Sequence, residues 1–153
     1  MAALSSLRLE KGYRDFGHDI DNEDTPYEVG LGFAVALDKP GGFIGRDALL
    51  ERRATGPVTR RLAQFLLDDP AYDLLGDEPI YSGGTLVGYL RAGAFGYTLG
   101  ASVGLGMIES WSGMDAADIT SSHFEIDIAG TRVGARASLR PLYDPDRMRP
   151  TAD

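Results

Sequence analysis

Histidine and cysteine, the side chains most often recruited for catalysis and metal binding, are scarce in this chain. There are two histidines, His18 and His123, and no cysteine. A disulfide framework and a thiolate metal site are therefore excluded. Neither histidine has a second one at metal-ligand spacing. His18-Asp19-Ile20-Asp21 could offer mixed ligands, but a polar turn of this composition reads as a solvated loop. No segment forms a nucleophile elbow, so a serine–histidine–carboxylate set has only composition in its favour. The paired acids Asp68-Asp69 and Asp77-Glu78 flank apolar runs, where exposed turns explain them better than acid–base work. Arg52, Arg53, Arg60 and Arg61 make the one basic spot, read as solvated surface with a phosphate or carboxylate site as the alternative. The run Gly93-Ala94-Phe95-Gly96-Tyr97-Thr98-Leu99-Gly100 lacks both the dinucleotide-fold spacing and the lysine of a phosphate loop. A barrel corner and a ligand-facing loop are equal readings of it.

The elements that must position these residues change character near residue 55. Two helical patterns precede that point. Ala2 to about Asp15 places Leu4 and Leu7 along one line and Leu9, Tyr13 and Phe16 beside it, with Gly17 as the stop. Gly45 to Arg53 forms the second, with Asp47 in its first turn and Arg52 and Arg53 in its last, as the helix dipole favours. Asp19 to Pro26 is polar and turn-like. Tyr27 to Leu37 suggests a helical turn leading into a strand.

After the Thr55-Gly56-Pro57 break come short alternating runs. Thr59 to Leu67 reads as a strand, and Ser82-Gly83-Gly84 joins Glu78–Tyr81 to Thr85–Arg91 as a hairpin. Phe124, Ile126 and Ile128 alternate with Glu125 and Asp127. Ala129-Gly130 turns the chain, and Val133, Ala135 and Ala137 alternate with Arg132, Gly134 and Arg136. Five to seven short strands without long intervening helices predict an α+β chain with an antiparallel β-barrel or sandwich; the barrel, with the two helices outside it, is the preferred reading.

The 153 residues are 43% apolar and 25% charged, enough for a packed core. The formal charge of −8 disfavours nucleic-acid binding through phosphate neutralisation. No apolar run approaches the ~20 residues of a membrane span. Met1-Ala2-Ala3-Leu4-Ser5 lacks a basic segment followed by an apolar one, so no secretory signal is expected and a cytoplasmic setting is.

Five ordered blocks carry a resemblance. They are Ser6-Leu7-Arg8-Leu9-Glu10-Lys11-Gly12-Tyr13-Arg14 with Gly17-His18-Asp19-Ile20, Asp24-Thr25-Pro26-Tyr27-Glu28-Val29-Gly30-Leu31-Gly32-Phe33, Phe43-Ile44-Gly45-Arg46-Asp47-Ala48-Leu49, Gly88-Tyr89 with the run Gly93 to Gly100, and Pro141-Leu142-Tyr143-Asp144-Pro145. Together they resemble the glycine cleavage T-protein (aminomethyltransferase) family. The Lys11-Gly12-Tyr13-Arg14 stretch and the Pro-Leu-Tyr-Asp-Pro ending are most similar to the folate-binding half of dimethylglycine and sarcosine dehydrogenases.

The resemblance implies that residues 1–55 are the tail of a folate-binding domain and residues 56–153 its carboxy-terminal barrel. It implies tetrahydrofolate as the cofactor of the complete protein, and FAD only if the parent carries a dehydrogenase half. The ring of Tyr13 is placed beside the folate, and no residue here matches the family's catalytic acidic groups. The implied partners are a missing upstream half, in cis or in trans, and a small one-carbon donor. Self-association through the amino-terminal helix is the expected remedy for its uncovered apolar face. Leu4 stands where many aminomethyltransferases carry arginine, and Arg91-Ala92-Gly93 where small hydroxyl residues are common. Two rival readings remain open: a non-catalytic binding or regulatory protein of the family, and a small subunit completing a site on a partner chain.

Overall fold

The computed structural model describes residues 2–109 and 115–149. Six antiparallel strands close into a barrel: β1 (Arg60–Leu67), β2 (Pro79–Ser82), β3 (Thr85–Gly96), β4 (Ala101–Glu109), β5 (Phe124–Ile128) and β6 (Thr131–Ser138), in the order β1-β4-β3-β2-β5-β6. Closure comes from β1, which pairs with β4 along Arg60–Leu66 and with β6 along Gln64–Leu67. Every strand is thereby paired on both sides, and no open edge is left to template aggregation.

Side-chain alternation divides the apolar residues between two cores. Phe65, Leu67, Ile80, Leu90, Ile108, Phe124, Ile126 and Val133 pack together as the interior cluster, with the rings of Phe65 and Phe124 edge to face at 5.4 Å. Leu62, Leu66, Val103, Leu105 and Met107 belong to a second cluster, covered by Leu9 and Val29 from the amino-terminal part. That is why β1 and β4 read as nearly continuous apolar runs: both their faces are buried. The interior is closely packed around Gly106, and a larger residue there would displace its neighbours. A Cβ on Gly106 would stand 2.6 Å from Ile80 and 2.9 Å from Leu90.

The described residues also form three α-helices: α1 (Ala2–Glu10), α2 (Arg46–Ala54) and α3 (Ala116–Ser121), of which α1 and α3 pack on the barrel strands. The sequence predicts α2 to within one residue. It misses α3, which Asp115 opens with a capping box to Asp118. It also places the end of α1 too late. The helix stops at Glu10 because Gly12 turns the chain at φ +64°, so Gly12 and not Gly17 is the stop. Tyr27 to Leu37 forms turns and a short 3-10 helix at Gly32–Ala34 and does not enter a strand. The β3 strand runs five residues past the predicted Arg91 because a bulge between Leu90 and Ala92 lets pairing with β4 resume to Gly96.

Candidate functional site

The turn that leaves α1 is held by the barrel and by the chain's carboxy-terminal segment. Gln64 points outward from β1. Its Nε2 donates to Leu9 O at 2.5 Å and to Glu10 O at 3.1 Å, and its Oε1 accepts from Leu142 N at 2.8 Å. The Glu10 side chain is buried and accepts the Thr98 N–H at 2.6 Å, tying α1 to the β3–β4 turn. Ser6 Oγ donates to Phe95 O at 2.7 Å. Lys11 Nζ reaches both Asp144 O, at 2.7 Å, and Asp144 Oδ2, at 2.8 Å. This lysine hydrogen bond, against the opposing effect of burial, holds the Asp144 carboxyl below the ordinary aspartate range. Tyr13 follows directly, so its backbone position is set by contacts distant in sequence while its side chain stays free. The residue is 56% exposed.

Behind Tyr13 lies a network of buried charge. Asp19 is fully buried. It accepts both guanidinium nitrogens of Arg8, the Asp15 N–H at 2.9 Å and His18 Nδ1 at 2.9 Å. Because a carboxylate only accepts, His18 carries its proton on Nδ1 in this contact. Asp24 accepts Arg91 at 2.5 Å and Arg60 at 3.2 Å, and Arg91 also donates to Asp19 O at 2.7 Å. Burial alone would raise the Asp24 carboxyl. The Arg91 hydrogen bond, the Asp21 backbone and the charges of Arg91 and Arg60 outweigh it and hold the carboxyl below its usual range.

The structure thus corrects the reading of residues 18–21 as a solvated loop. His18 is exposed, but Asp19 is a buried anchor because Arg8 supplies the matching charge. The arginine spot is likewise divided among partners. Arg60 pairs with Asp24 and Glu109, Arg52 lies 3.6 Å from Glu28, Arg61 donates to Tyr27 O at 2.8 Å, and only Arg53 among the four is exposed. Arg91, one of the two departures from the family pattern, sits at the β3 bulge with its guanidinium on Asp24. The other, Leu4, is exposed.

The run from Gly93 to Gly100 is the end of β3 and its hairpin turn, as the barrel-corner reading expects. A Cβ at Gly93 would lie 2.5 Å from Leu74, and one at Gly96 would lie 3.1 Å from the Glu10 carboxylate. Asp68 and Asp69 are exposed, and the Glu78 carboxylate caps the Leu75 and Gly76 N–H groups, so neither acidic pair is arranged for acid–base work. Among the described residues no group of three or more His, Cys, Asp or Glu could hold a metal ion, and no helix is long and apolar enough to cross a membrane.

Sequence reasoning missed Glu10, Gln64 and the anchoring roles of Asp19 and Asp24. The available signal was the alternation of β1. Gln64 is the only polar residue between Leu62 and Leu67, and a buried polar residue there demands partners.

Comparison with known proteins agrees with this architecture. Residues 60–144 match the glycine cleavage T-protein C-terminal barrel domain, and residues 1–39 match the GCVT N-terminal domain. The chain is 44% identical over 149 residues to 4-methylaminobutanoate oxidase (formaldehyde-forming) of Paenarthrobacter nicotinovorans, covering 96% of this chain and 17% of that protein. It is 41% identical to the mitochondrial pyruvate dehydrogenase phosphatase regulatory subunit of Mus musculus, over 92% of this chain and 17% of the relative. It is 35% identical to mitochondrial sarcosine dehydrogenase of Homo sapiens, over 96% of this chain and 16% of the relative. The chain therefore spans about a sixth of these relatives' length. The crystal structure of the glycine cleavage system aminomethyltransferase T from Bartonella henselae superposes with a TM-score of 0.79 at 23% identity, over 94% of this chain and 38% of that one. With its barrel matched along most of its length and its fold shared, the chain belongs to the glycine cleavage T-protein family.

Proposed function

We propose that this chain is the carboxy-terminal part of a tetrahydrofolate-dependent one-carbon transfer protein, related to aminomethyltransferases and flavin-linked N-methyl amine dehydrogenases, and that it forms one wall of the folate site. In this reading residues 1–55 are the tail of the folate-binding domain and residues 56–153 are the supporting barrel. The carrying observation is Tyr13: an exposed ring on a turn fixed by Gln64 and by Lys11 with Asp144. A flat conjugated ligand would stack on such a ring, and the turn is already ordered before the ligand arrives.

The residues present fit a single wall. The two buried carboxylates nearest Tyr13 in the chain, Glu10 and Asp19, are committed to the Thr98 N–H and to Arg8 respectively. The groups that would hydrogen-bond a pterin must then come from an upstream half, in cis or in trans. Bound folate would capture the one-carbon unit released by a small amine donor. The chain's share is to position the ring system and exclude water. A flavin, if the parent uses one, would be held outside these residues, and the cytoplasm is the compartment this reading favours.

The test is a calorimetric titration with tetrahydrofolate. Losing two charge-assisted hydrogen bonds of about 1.5–3 kcal/mol each lowers affinity by roughly two to four orders of magnitude. The chain alone should therefore bind weakly or undetectably and turn over nothing. Supplying the upstream half should restore binding, and Tyr13→Ala should then weaken it more than Tyr97→Ala. Micromolar binding by the chain alone, or an unchanged affinity in the Tyr13 variant, would remove the proposal. A second reading, a non-catalytic regulatory protein, is favoured by the likeness to a phosphatase regulatory subunit. It predicts folate binding without turnover once the upstream half is present.

A further inference from the structure

Most of the half-buried cations around α1 have a carboxylate partner: Arg8 has Asp19, Lys11 has Asp144, Arg60 and Arg91 share Asp24, and Arg52 has Glu28. Arg14 and Arg61 do not. Arg14 donates from Nε to Val29 O at 3.1 Å and from Nη1 to Gly12 O at 2.7 Å. Arg61 donates from Nη1 to Tyr27 O at 2.8 Å. Neither makes an ion pair with a described acid, although the chain has eight more acidic than basic residues.

The two guanidiniums grip carbonyls two residues apart on one turn, Tyr27 and Val29, near enough for the charge of one to act on the other. Burial first, and then the charge of Arg61, make the Arg14 cation less favourable, while Asp19 pulls the other way. Burial does the same to Arg61. Asp19 cannot discharge the pair by contact, because its oxygens already serve Arg8, His18 and the Asp15 N–H. Guanidinium does not deprotonate in proteins, so the pair persists as two adjacent positive charges.

Capping a carbonyl uses one or two of a guanidinium's five donors and none of its charge. The Nη2 groups of both arginines and the Nε of Arg61 are not engaged in any of these hydrogen bonds. We propose that Arg14 and Arg61 form a binding site for an oxyanion, a carboxylate or a phosphate group, held by forked guanidinium contacts beside the turn that carries Tyr13. The site does not depend on the folate reading, since the paired charge belongs to this chain alone. Its occupant is either a free anion or an acidic side chain brought by a partner segment, which presents the same chemistry.

The experiment titrates the isolated chain with succinate and with inorganic phosphate, at ionic strength matched by sodium chloride, and follows the thermal midpoint and the arginine Nε–H resonances. Stabilisation by succinate or phosphate beyond that of chloride is expected, with resonance shifts concentrated on Arg14 and Arg61 and not on Arg60 or Arg91. Preference for succinate identifies a carboxylate site, and preference for phosphate a phosphate site. Arg14→Gln and Arg61→Gln keep a carbonyl-capping donor while removing charge, and each should weaken anion binding about tenfold or more, as expected for a lost charge-assisted hydrogen bond. If both variants are too unstable to titrate, the resonance shifts of the unaltered chain still decide. Equal stabilisation by chloride, or shifts spread over all the arginines, overturns the proposal.

Discussion

The barrel and the segment before it are held by different forces. The barrel closes on itself and fills its interior with Phe65, Phe124, Ile80, Ile108 and Ile126, all with essentially no exposure. The amino-terminal segment does the reverse. Leu4, Leu7, Phe16, Phe33 and Ile44 face outward, and α2 buries no residue. Apart from Leu9 and Val29, with Ile20 and Leu31 packed beside them, what attaches this segment to the barrel is charge and backbone capping: Asp19, Asp24, Glu10 and Gln64. Apolar burial is non-directional and works wherever area is covered. Hydrogen bonds fix geometry. The segment is thus held mainly by directional contacts, with several of its large apolar side chains uncovered.

The comparison breaks most visibly if a barrel substitution and a tether substitution have the same reach. Phe65→Ala empties the barrel centre, where Phe124 packs edge to face on that ring. A loss of about 3–5 kcal/mol is expected, with α1 and the barrel unfolding together in urea. Asp19→Asn leaves Arg8 facing a neutral amide. Its expected cost is about 3 kcal/mol, as for breaking one partner of a buried pair. Here hydrogen exchange should rise across residues 8–24 while the interior strands keep their protection. Loss of strand protection in step with the loop would show that the two regions are one cooperative unit.

A smaller effect separates the regions by pH. The folded-state value of Asp24 is depressed, so its contribution is complete above the unfolded aspartate value of about 3.9 and is lost as pH falls through the folded value. Acid should therefore release the 19–24 tether from Arg60 and Arg91 before the apolar interior responds. Urea midpoints measured from pH 7 down to pH 3 should fall at the acid end, and Asp24→Asn should flatten that slope. An unchanged slope in the variant would assign the acid sensitivity to other carboxylates, with Asp144, also depressed, the first to examine.

These two regions also differ in how far they were legible from sequence. The β5–β6 hairpin was plain because one face of each strand is buried and the other is not, which gives clean alternation. The β4 strand, Ala101 to Glu109, gave no such pattern, since nearly all its residues are buried on one face or the other. Tyr13 and Phe16 lie at helical spacing from Leu9, yet Gly12 ends the helix before them. Spacing cannot register a positive φ. Asp19 looked like a loop residue because the partners that make it buried, Arg8 and the Asp15 N–H, are matched only after the chain turns back at Gly17. The ring of Tyr13 was singled out through family likeness. The contacts that hold its turn come from Gln64 and Asp144, 51 and 131 residues away in the numbering, which spacing along the chain does not reveal.

The smallest expected effect is the sharpest test of the outward-facing segment. Leu4 is 67% exposed and Leu7 is 61% exposed, while Leu9 on the same helix is wholly buried against the barrel. Replacing Leu4 and Leu7 by serine removes little buried area, so stability should change by no more than about 0.5 kcal/mol per site. Leu9→Ser, by contrast, puts a hydroxyl into the apolar cluster with Leu62, Leu66 and Val103 and should detach α1. If the exposed leucines form the surface through which α1 meets a second copy, the unaltered chain should self-associate with rising concentration, and the double serine variant should stay monomeric. Sedimentation velocity over a concentration series reads this directly. A chain that is monomeric throughout, with α1 ordered, would show that Leu4 and Leu7 tolerate water without a second copy. A stability loss as large as that of Leu9→Ser would mean that α1 packs differently, with its buried line running through Leu4 and Leu7.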